Sequence, residues 1–210
     1  MAASARSKEV DANMPVLYFV RHGETDFNIE QRLQGQYETS LNARGRAQAT
    51  ECGEMLKDLF AREQHQTRDY AYVSSPLRRA RETMQLARAT LGLDPSAFDV
   101  DDRLMEISYG EWEGSTLPEI QARDPQVLER REEDKWGFKP PGGECYRDVA
   151  ARVGAWYATV TRDTVVVAHG GVARALMANF NILPEEEAAY ADISQGVVYV
   201  FAGSTMARYA

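Results

Sequence analysis

Two histidines and a group of arginines in this chain stand where apolar runs stop. In "YFVRHGETDFN" (18–28) the run ends on Arg21 and His22, followed by Gly23. "TVVVAH" (164–169) ends on His169 and enters Gly170 and Gly171, and "YAYVSS" (70–75) runs into "PLRRA" with Arg78 and Arg79. A neutral imidazole has a ring nitrogen that can act as a nucleophile or carry a proton. A guanidinium is permanently charged and grips oxyanions with two parallel hydrogen bonds. Gathered on one rim, these groups suit a phosphoryl group, which carries about two negative charges near neutral pH. Chemistry at such a centre is largely positioning plus charge stabilisation at the equatorial oxygens. Each segment alone also fits a duller reading: a structural histidine, a capped helix with a solvated basic face, a tight turn. The remaining histidine, His65, lies in "REQHQTRD", a polar surface connection. The case for chemistry rests on three strand ends agreeing.

The elements that must position these groups are legible as apolar patterns. VLYFV (16–20), YAYVSS (70–75) and TVVVAH (164–169) are apolar without alternation, as in parallel strands covered on both faces. In open sheets of that kind, ligands sit beyond the carboxyl ends of the strands. A helix is expected from near Leu41, with Cys52, Met55, Leu56, Leu59 and Phe60 at helical spacing. A second is expected to open at Pro76 with Ser75 as its cap, carrying Leu77, Ala80, Met84, Ala87 and Leu91 on the core face. A third is read from near Glu144, turning Cys145, Val149, Val153, Trp156, Tyr157 and Val160 inward, and a fourth after Gly171. Helix starts near Pro76 and Gly170 would add backbone N–H groups to the rim. The tail "GVVYVFAGSTMARYA" reads as two strands about a Gly-Ser turn. The charged, proline-containing piece 114–143 reads as an inserted cap, and residues 1–13 as a disordered tail, with Met14 a candidate natural start. The expected fold is α/β, a three-layer sandwich with a mostly parallel central sheet flanked by helices, residues 14–210 forming one domain.

Composition narrows the partners. The chain has 210 residues and a formal charge of −8, with no dense Lys/Arg block, which argues against nucleic acid or an anionic membrane as partner. Its two cysteines, Cys52 and Cys145, are too few for a disulfide framework or a zinc site and read as buried thiols. No apolar run reaches membrane-span length, and 1–13 lacks the apolar segment of a secretory signal, so a cytoplasmic setting is expected. No Asp/Glu/His cluster has metal-ligand spacing, so neither metal nor cofactor is expected.

The chain resembles the histidine phosphatase (phosphoglycerate mutase-like) superfamily in "VRHGETDFN" (20–28), "RLQGQYETSLNARGRAQA" (32–49), "SSPLRRARET" (74–83), "LMEISYGEWEG" (104–114), "PPGGE" (140–144) and "VVVAHGGV" (165–172). The segments occur in the family's order over most of the chain after Met14. The resemblance implies that His22 attacks phosphorus, with its other nitrogen held by a nearby carbonyl. Arg21, Arg79 and His169 would surround the phosphoryl oxygens, Asn28 would hydrogen-bond one of them, and Glu106 would donate a proton to the leaving oxygen. Helical angles do not separate Arg78 from Arg79; the family pattern selects Arg79 and leaves Arg78 at the surface. "DDRLMEISYGEWEG" holds five acids, and the family pattern again selects Glu106. Gly23 and Gly170 would permit close backbone approach to the phosphate. Glu24, Thr25, Gln34, Gly35 and Tyr109 are further pocket candidates, while Trp112 and Glu113 read as structural.

"LQGQYETSL" and "ISYGEWEGSTLPEI" resemble the phosphatase branch rather than the cofactor-dependent mutases. A small phosphorylated metabolite is therefore the expected substrate, sugar phosphates, phosphoglycerates and α-ribazole phosphate among the candidates. A mutase, or a protein that binds phosphate without turning it over, are the alternatives. Arg130, Arg131, Lys135 and Lys139 leave room for a second anion site, though a solvated helix is the reading preferred for them. Trp136, Phe138 and Tyr146 fit either an apolar wall for the leaving group or core. The oligomeric state is open, a homodimer included.

Overall fold

The computed structural model describes residues 14–210; the expected tail, 1–13, lies outside the described residues. The three apolar runs form β1 (Leu17–Arg21), β2 (Ala71–Ser74) and β4 (Thr164–Ala168). The two-residue β3 (Asp99–Val100) was not expected; both of its residues are exposed, so no apolar pattern marks it. The tail forms β5 (Val198–Ala202) and β6 (Thr205–Tyr209). The sheet order is β3-β2-β4-β1-β5-β6. Pairing is parallel from β3 through β1, and β5 runs antiparallel to both β1 and β6. The sheet is thus mixed, with four parallel strands carrying the site.

Strand alternation sends side chains to two cores. Tyr18, Val20, Val165, Val167 and Val198 pack on one face with Cys52, Leu56, Phe60, Ala80 and Met84. The latter come from α2 (Ala43–Arg62) and α3 (Arg78–Thr90). Leu17, Phe19, Val166, Tyr199 and Phe201 pack on the other with Val149, Val153, Trp156, Val172 and Leu176. These helices are α6 (Tyr146–Tyr157) and α7 (Gly170–Asn179). Both cysteines are buried free thiols, as the sequence suggests.

Three boundaries differ from the expected ones. Leu77, not Ser75, caps α3, which starts two residues beyond Pro76. The cap of α6 is Cys145, and Val160 lies past its end. A four-residue α1 (Asp26–Ile29) follows His22, capped by Thr25. Segment 114–143 contains α4 (Leu117–Arg123) and α5 (Pro125–Glu133), each opened by a capping side chain, Thr116 and Asp124. Ile120 and Val127 join Trp112 in a small third core, packed with Leu33 and Phe138. A four-residue α8 (Glu185–Ala188) precedes β5.

Candidate active site

β2, β4 and β1 end side by side, which brings their terminal residues together. His22 N donates to Ala168 O and Ser75 N to Val167 O, each at 2.9 Å. The rings of His22 and His169 stand 5.1 Å apart between centroids, and both are buried.

His22 Nδ1 lies 2.8 Å from Gly23 O. A carbonyl only accepts, so Nδ1 carries the hydrogen and Nε2 keeps its lone pair. Burial first, then the guanidiniums of Arg79 and Arg21, hold His22 well below the usual imidazole range. The same causes, led by burial, act on His169. His169 Nε2 is 2.7 Å from Ser75 Oγ, while its Nδ1 is buried with no partner among the described residues.

The two arginines are anchored by main-chain oxygens. Arg21 Nη1 donates to Ile193 O at 2.6 Å, and Arg79 donates from Nη1 to Tyr37 O at 2.9 Å and from Nη2 to Gly35 O at 2.7 Å. The Nε of each is buried and unpartnered, and neither forms an ion pair among the described residues. Burial lowers Arg79 to about 10, so it remains charged at neutral pH; Arg21 is lowered too, by burial above all. Arg79 is fully buried and Arg78 exposed.

Glu106 sits on the loop after β3. Its Oε1 accepts from Gly171 N and Ile107 N, both at 2.9 Å. Gly171 leaves room for this contact, because a Cβ would lie 2.2 Å from that oxygen and push the carboxyl group away. Two residues to which the sequence reading gave no part in the site hold the loop. Arg152 donates to the carbonyls of Arg103, Met105 and Glu106 and forms an ion pair with Glu144 at 2.9 Å. Glu144 Oε2 in turn accepts from Ser108 N at 2.9 Å.

The remaining candidates divide. Asn28 Oδ1 accepts from Thr25 N and Gln195 Nε2, each at 3.0 Å. Gln195, unmarked in the sequence, also donates to His22 O at 3.2 Å. Gln34 is buried with Oε1 occupied by the hydroxyls of Thr25 and Thr39, at 3.0 and 2.7 Å. Gly35 has φ of 50° and serves through its carbonyl on Arg79. Glu113 Oε1, which accepts from Gln36 N and Tyr109 N, is structural as expected. Glu24 Oε1 accepts from Asn42 Nδ2 at 3.0 Å, away from the histidines' contacts.

Gly23 packs against α2: its N–H donates to Thr83 Oγ1 at 3.0 Å, and a Cβ would lie 2.2 Å from Gly45 O. Gly170 begins α7, and α3 begins at Arg78, whose N–H donates to Glu38 Oε2 at 3.1 Å. Trp136 and Tyr146, stacked 5.4 Å apart, belong to the main core, and Phe138 stacks on Trp112 at 5.4 Å.

Two imidazoles that burial disfavours charging, beside two guanidiniums without carboxylate partners among the described residues, form an arrangement that can hold a tetrahedral oxyanion and attack it. The chain belongs to the histidine phosphatase superfamily (branch 1), whose model matches residues 17–205. It is 37% identical over 182 residues to glucosyl-3-phosphoglycerate phosphatase of Mycobacterium tuberculosis, covering 80% of this chain and 76% of that protein. The solved structure of the mycobacterial glucosyl-3-phosphoglycerate phosphatase is similar with a TM-score of 0.74 and 33% identity, covering 89% of each chain. The α-ribazole phosphatase of Shigella flexneri gives 0.74 at 25% identity, over 88% of this chain and 89% of that one. A 2,3-bisphosphoglycerate-dependent phosphoglycerate mutase of Gloeobacter violaceus is 29% identical over 196 residues, 90% of this chain and 85% of that protein. Among the described residues no helix is long and apolar enough to cross a membrane.

Proposed function

We propose that the protein is a metal-independent phosphomonoesterase that hydrolyses a small phosphorylated metabolite through a phosphohistidine on His22. The observation that carries this reading is a buried pair of imidazoles, His22 and His169, 5.1 Å apart, close enough to the guanidiniums of Arg79 and Arg21 to feel their charge, with Arg21 Nε, Arg79 Nε and His169 Nδ1 unpartnered among the described residues. Buried polar atoms without partners are rare in folded proteins and mark where a ligand completes the set. With Ser75 O–H donating to His169 Nε2, His169 carries its hydrogen on Nδ1 and adds a donor to the guanidiniums.

In the first step His22 Nε2 bonds to phosphorus as the ester P–O bond breaks. Glu106 gives its proton to the departing alcohol oxygen. Its Oε1 accepts from two N–H donors at 2.9 Å, while Oε2 has only the longer 3.3 Å contact to Gly171 N and is the oxygen placed to pass the proton. In the second step Glu106 takes a proton from water as the water oxygen displaces His22 from phosphorus. Arg21, Arg79, His169 and Asn28 hold the transferring oxygens throughout, with Gly170, Gln34, Gly35 and Tyr109 shaping the walls. The segment 114–143 acts as the cap over the leaving group. Among the described residues no trio of His, Cys, Asp or Glu is grouped to hold a metal ion, so activity should survive chelation.

The mycobacterial and Shigella relatives, both named phosphatases, support hydrolysis over mutase activity. The test is rapid acid or base quench during turnover of an aryl phosphate. Acid-labile, base-stable phosphate on His22, with turnover lost in folded His22→Ala, is the expected result; turnover retained in that variant rejects the reading. The Gloeobacter relative makes phosphoglycerate mutation the second reading, and interconversion of phosphoglycerates in the presence of 2,3-bisphosphoglycerate checks it.

A further inference from the structure

A cavity of about 490 Å³ lies where β2, β3 and β4 begin, at the other end of these strands from His22 and His169. It shares no residue with the phosphoryl site. Three arginines from separate parts of the chain line it. Arg68 comes from the short turn Thr67–Asp69 before β2, Arg88 from the last turn of α3, and Arg162 from the connection into β4. Leu93 and Phe98, on the connection from α3 to β3, and the Tyr72 ring supply apolar wall.

Arg88 is the informative member. It is only 5% exposed, and its guanidinium carbon lies 4.4 Å from the centre of the Tyr72 ring. Its Nε donates to Asp94 O at 2.9 Å, while Nη1 and Nη2 have no partner among the described residues. Neighbouring groups do not neutralise it. The Asp94 carboxylate accepts from Ser96 N and Oγ at 2.8 and 2.7 Å. Burial pushes Tyr72 up to about 12, so its hydroxyl keeps the hydrogen it donates to Thr67 O at 2.8 Å. None of the three arginines forms an ion pair among the described residues, and Asp99 is the single carboxylate residue in the lining.

A buried guanidinium without a counter-ion is costly. Bracing the turn after α3 accounts for Arg88 Nε alone and gives no reason for two more arginines to line the same space. In a chain of net charge −8 their gathering is not a matter of composition. We infer that this cavity is a second ligand site, for a small molecule that joins an oxyanion to a flat apolar ring. Arg68, Arg88 and Arg162 take the oxyanion, and Tyr72, Leu93 and Phe98 take the ring. The volume falls in the range of small-molecule sites, about 300–1,000 Å³. No imidazole or thiol lines the cavity, so the site binds its occupant without reacting with it.

Because α3 carries Arg79 as well as Arg88, the test tells the two sites apart residue by residue. Naphthylmethylphosphonate, whose carbon–phosphorus bond is not an ester and survives in the active protein, is titrated into the full chain and followed by amide NMR shifts. Saturable shifts at Leu93, Phe98 and Asp99 are expected, whatever happens at Gly23 and Gly171. Methylphosphonate and naphthylmethanol, each lacking one half of the probe, should bind there about tenfold or more weakly. Arg88→Gln should weaken the probe at these amides about tenfold or more. Arg68→Ser combined with Arg162→Ser alters only exposed side chains and keeps the test open if Arg88→Gln fails to fold. The same loss is expected there, with turnover of an aryl phosphate unchanged. Shifts confined to Gly23 and Gly171, equal affinity for the probe and either half, or a probe affinity that the folded variants leave intact would each overturn the site.

Discussion

Ser75 Oγ sits 2.7 Å from His169 Nε2, bridging the ends of two adjacent parallel strands. Since His169 is fully buried, this hydroxyl fixes which ring nitrogen carries the hydrogen. Ser75→Ala should lower kcat/KM for an aryl phosphate on the order of tenfold, the effect of one lost buried hydrogen bond. The same substitution in a His169→Asn background should add little, because both act through one group. Full additivity would show that Ser75 does not work through His169.

Arg152 and Glu144 hold the loop that presents Glu106, at the carbonyls of Arg103, Met105 and Glu106 and at Ser108 N. Arg152→Met strips those carbonyls of donors and leaves Glu144 unpaired. A destabilisation of about 3 kcal/mol is expected in urea melts. Turnover of esters with poor leaving groups should fall more than that of aryl phosphates, since a misplaced acid matters most where the leaving oxygen needs its proton. An equal loss across leaving groups would assign Arg152 to stability alone.

Gly23 and Gly45 meet backbone to backbone, with each imagined Cβ about 2 Å from a main-chain oxygen, at 2.2 and 2.1 Å. Neither neighbour can yield without moving α2. Gly23→Ala should cost about 1–3 kcal/mol from overpacking, and activity should fall with it because Gly23 O orients His22. Gly154→Ala is the control: only the Asn179 side chain lies near, at 3.3 Å, and stability should be unchanged or slightly higher.

Both site imidazoles are held below their ordinary range, by burial above all. In the unfolded chain each takes a proton near pH 6.5, and in the folded state each stays neutral well below that. Stability is therefore whole above about pH 6.5 and is lost on acidification, by up to about 1.4 kcal/mol per pH unit per imidazole. Urea melts between pH 7.5 and 5.5 should show this slope, reduced by about one proton in His169→Asn. An unchanged slope in that variant would place the proton uptake elsewhere.

Much of the site was legible because it lies at strand ends. Runs 16–20, 70–75 and 164–169 have the uninterrupted apolarity of doubly covered strands; the candidates Arg21 and His22 follow the first, Arg79 stands four positions after the second, and His169 ends the third. Helical angles alone left Arg78 and Arg79 unseparated; in the fold Arg79 is buried and Arg78 exposed. What escaped was of two kinds. Ser75 has the composition of a helix cap, yet its hydroxyl is turned to a histidine 94 positions away. Arg152, Arg174 and Gln195 look like ordinary polar residues, and only the tertiary fold brings them to Glu106, Tyr146 and His22. The edge strand β3 carries no apolar signal at all.

The arginines' attachment to carbonyls of Gly35, Tyr37 and Ile193 has a consequence for how the site tolerates drift. Every amino acid supplies the same main-chain oxygen, so point replacements in these loops leave the anchors chemically intact as long as the backbone path survives. Insertions or deletions do not enjoy that immunity: a change in loop length by one residue would swing an oxygen out of reach and set a guanidinium loose.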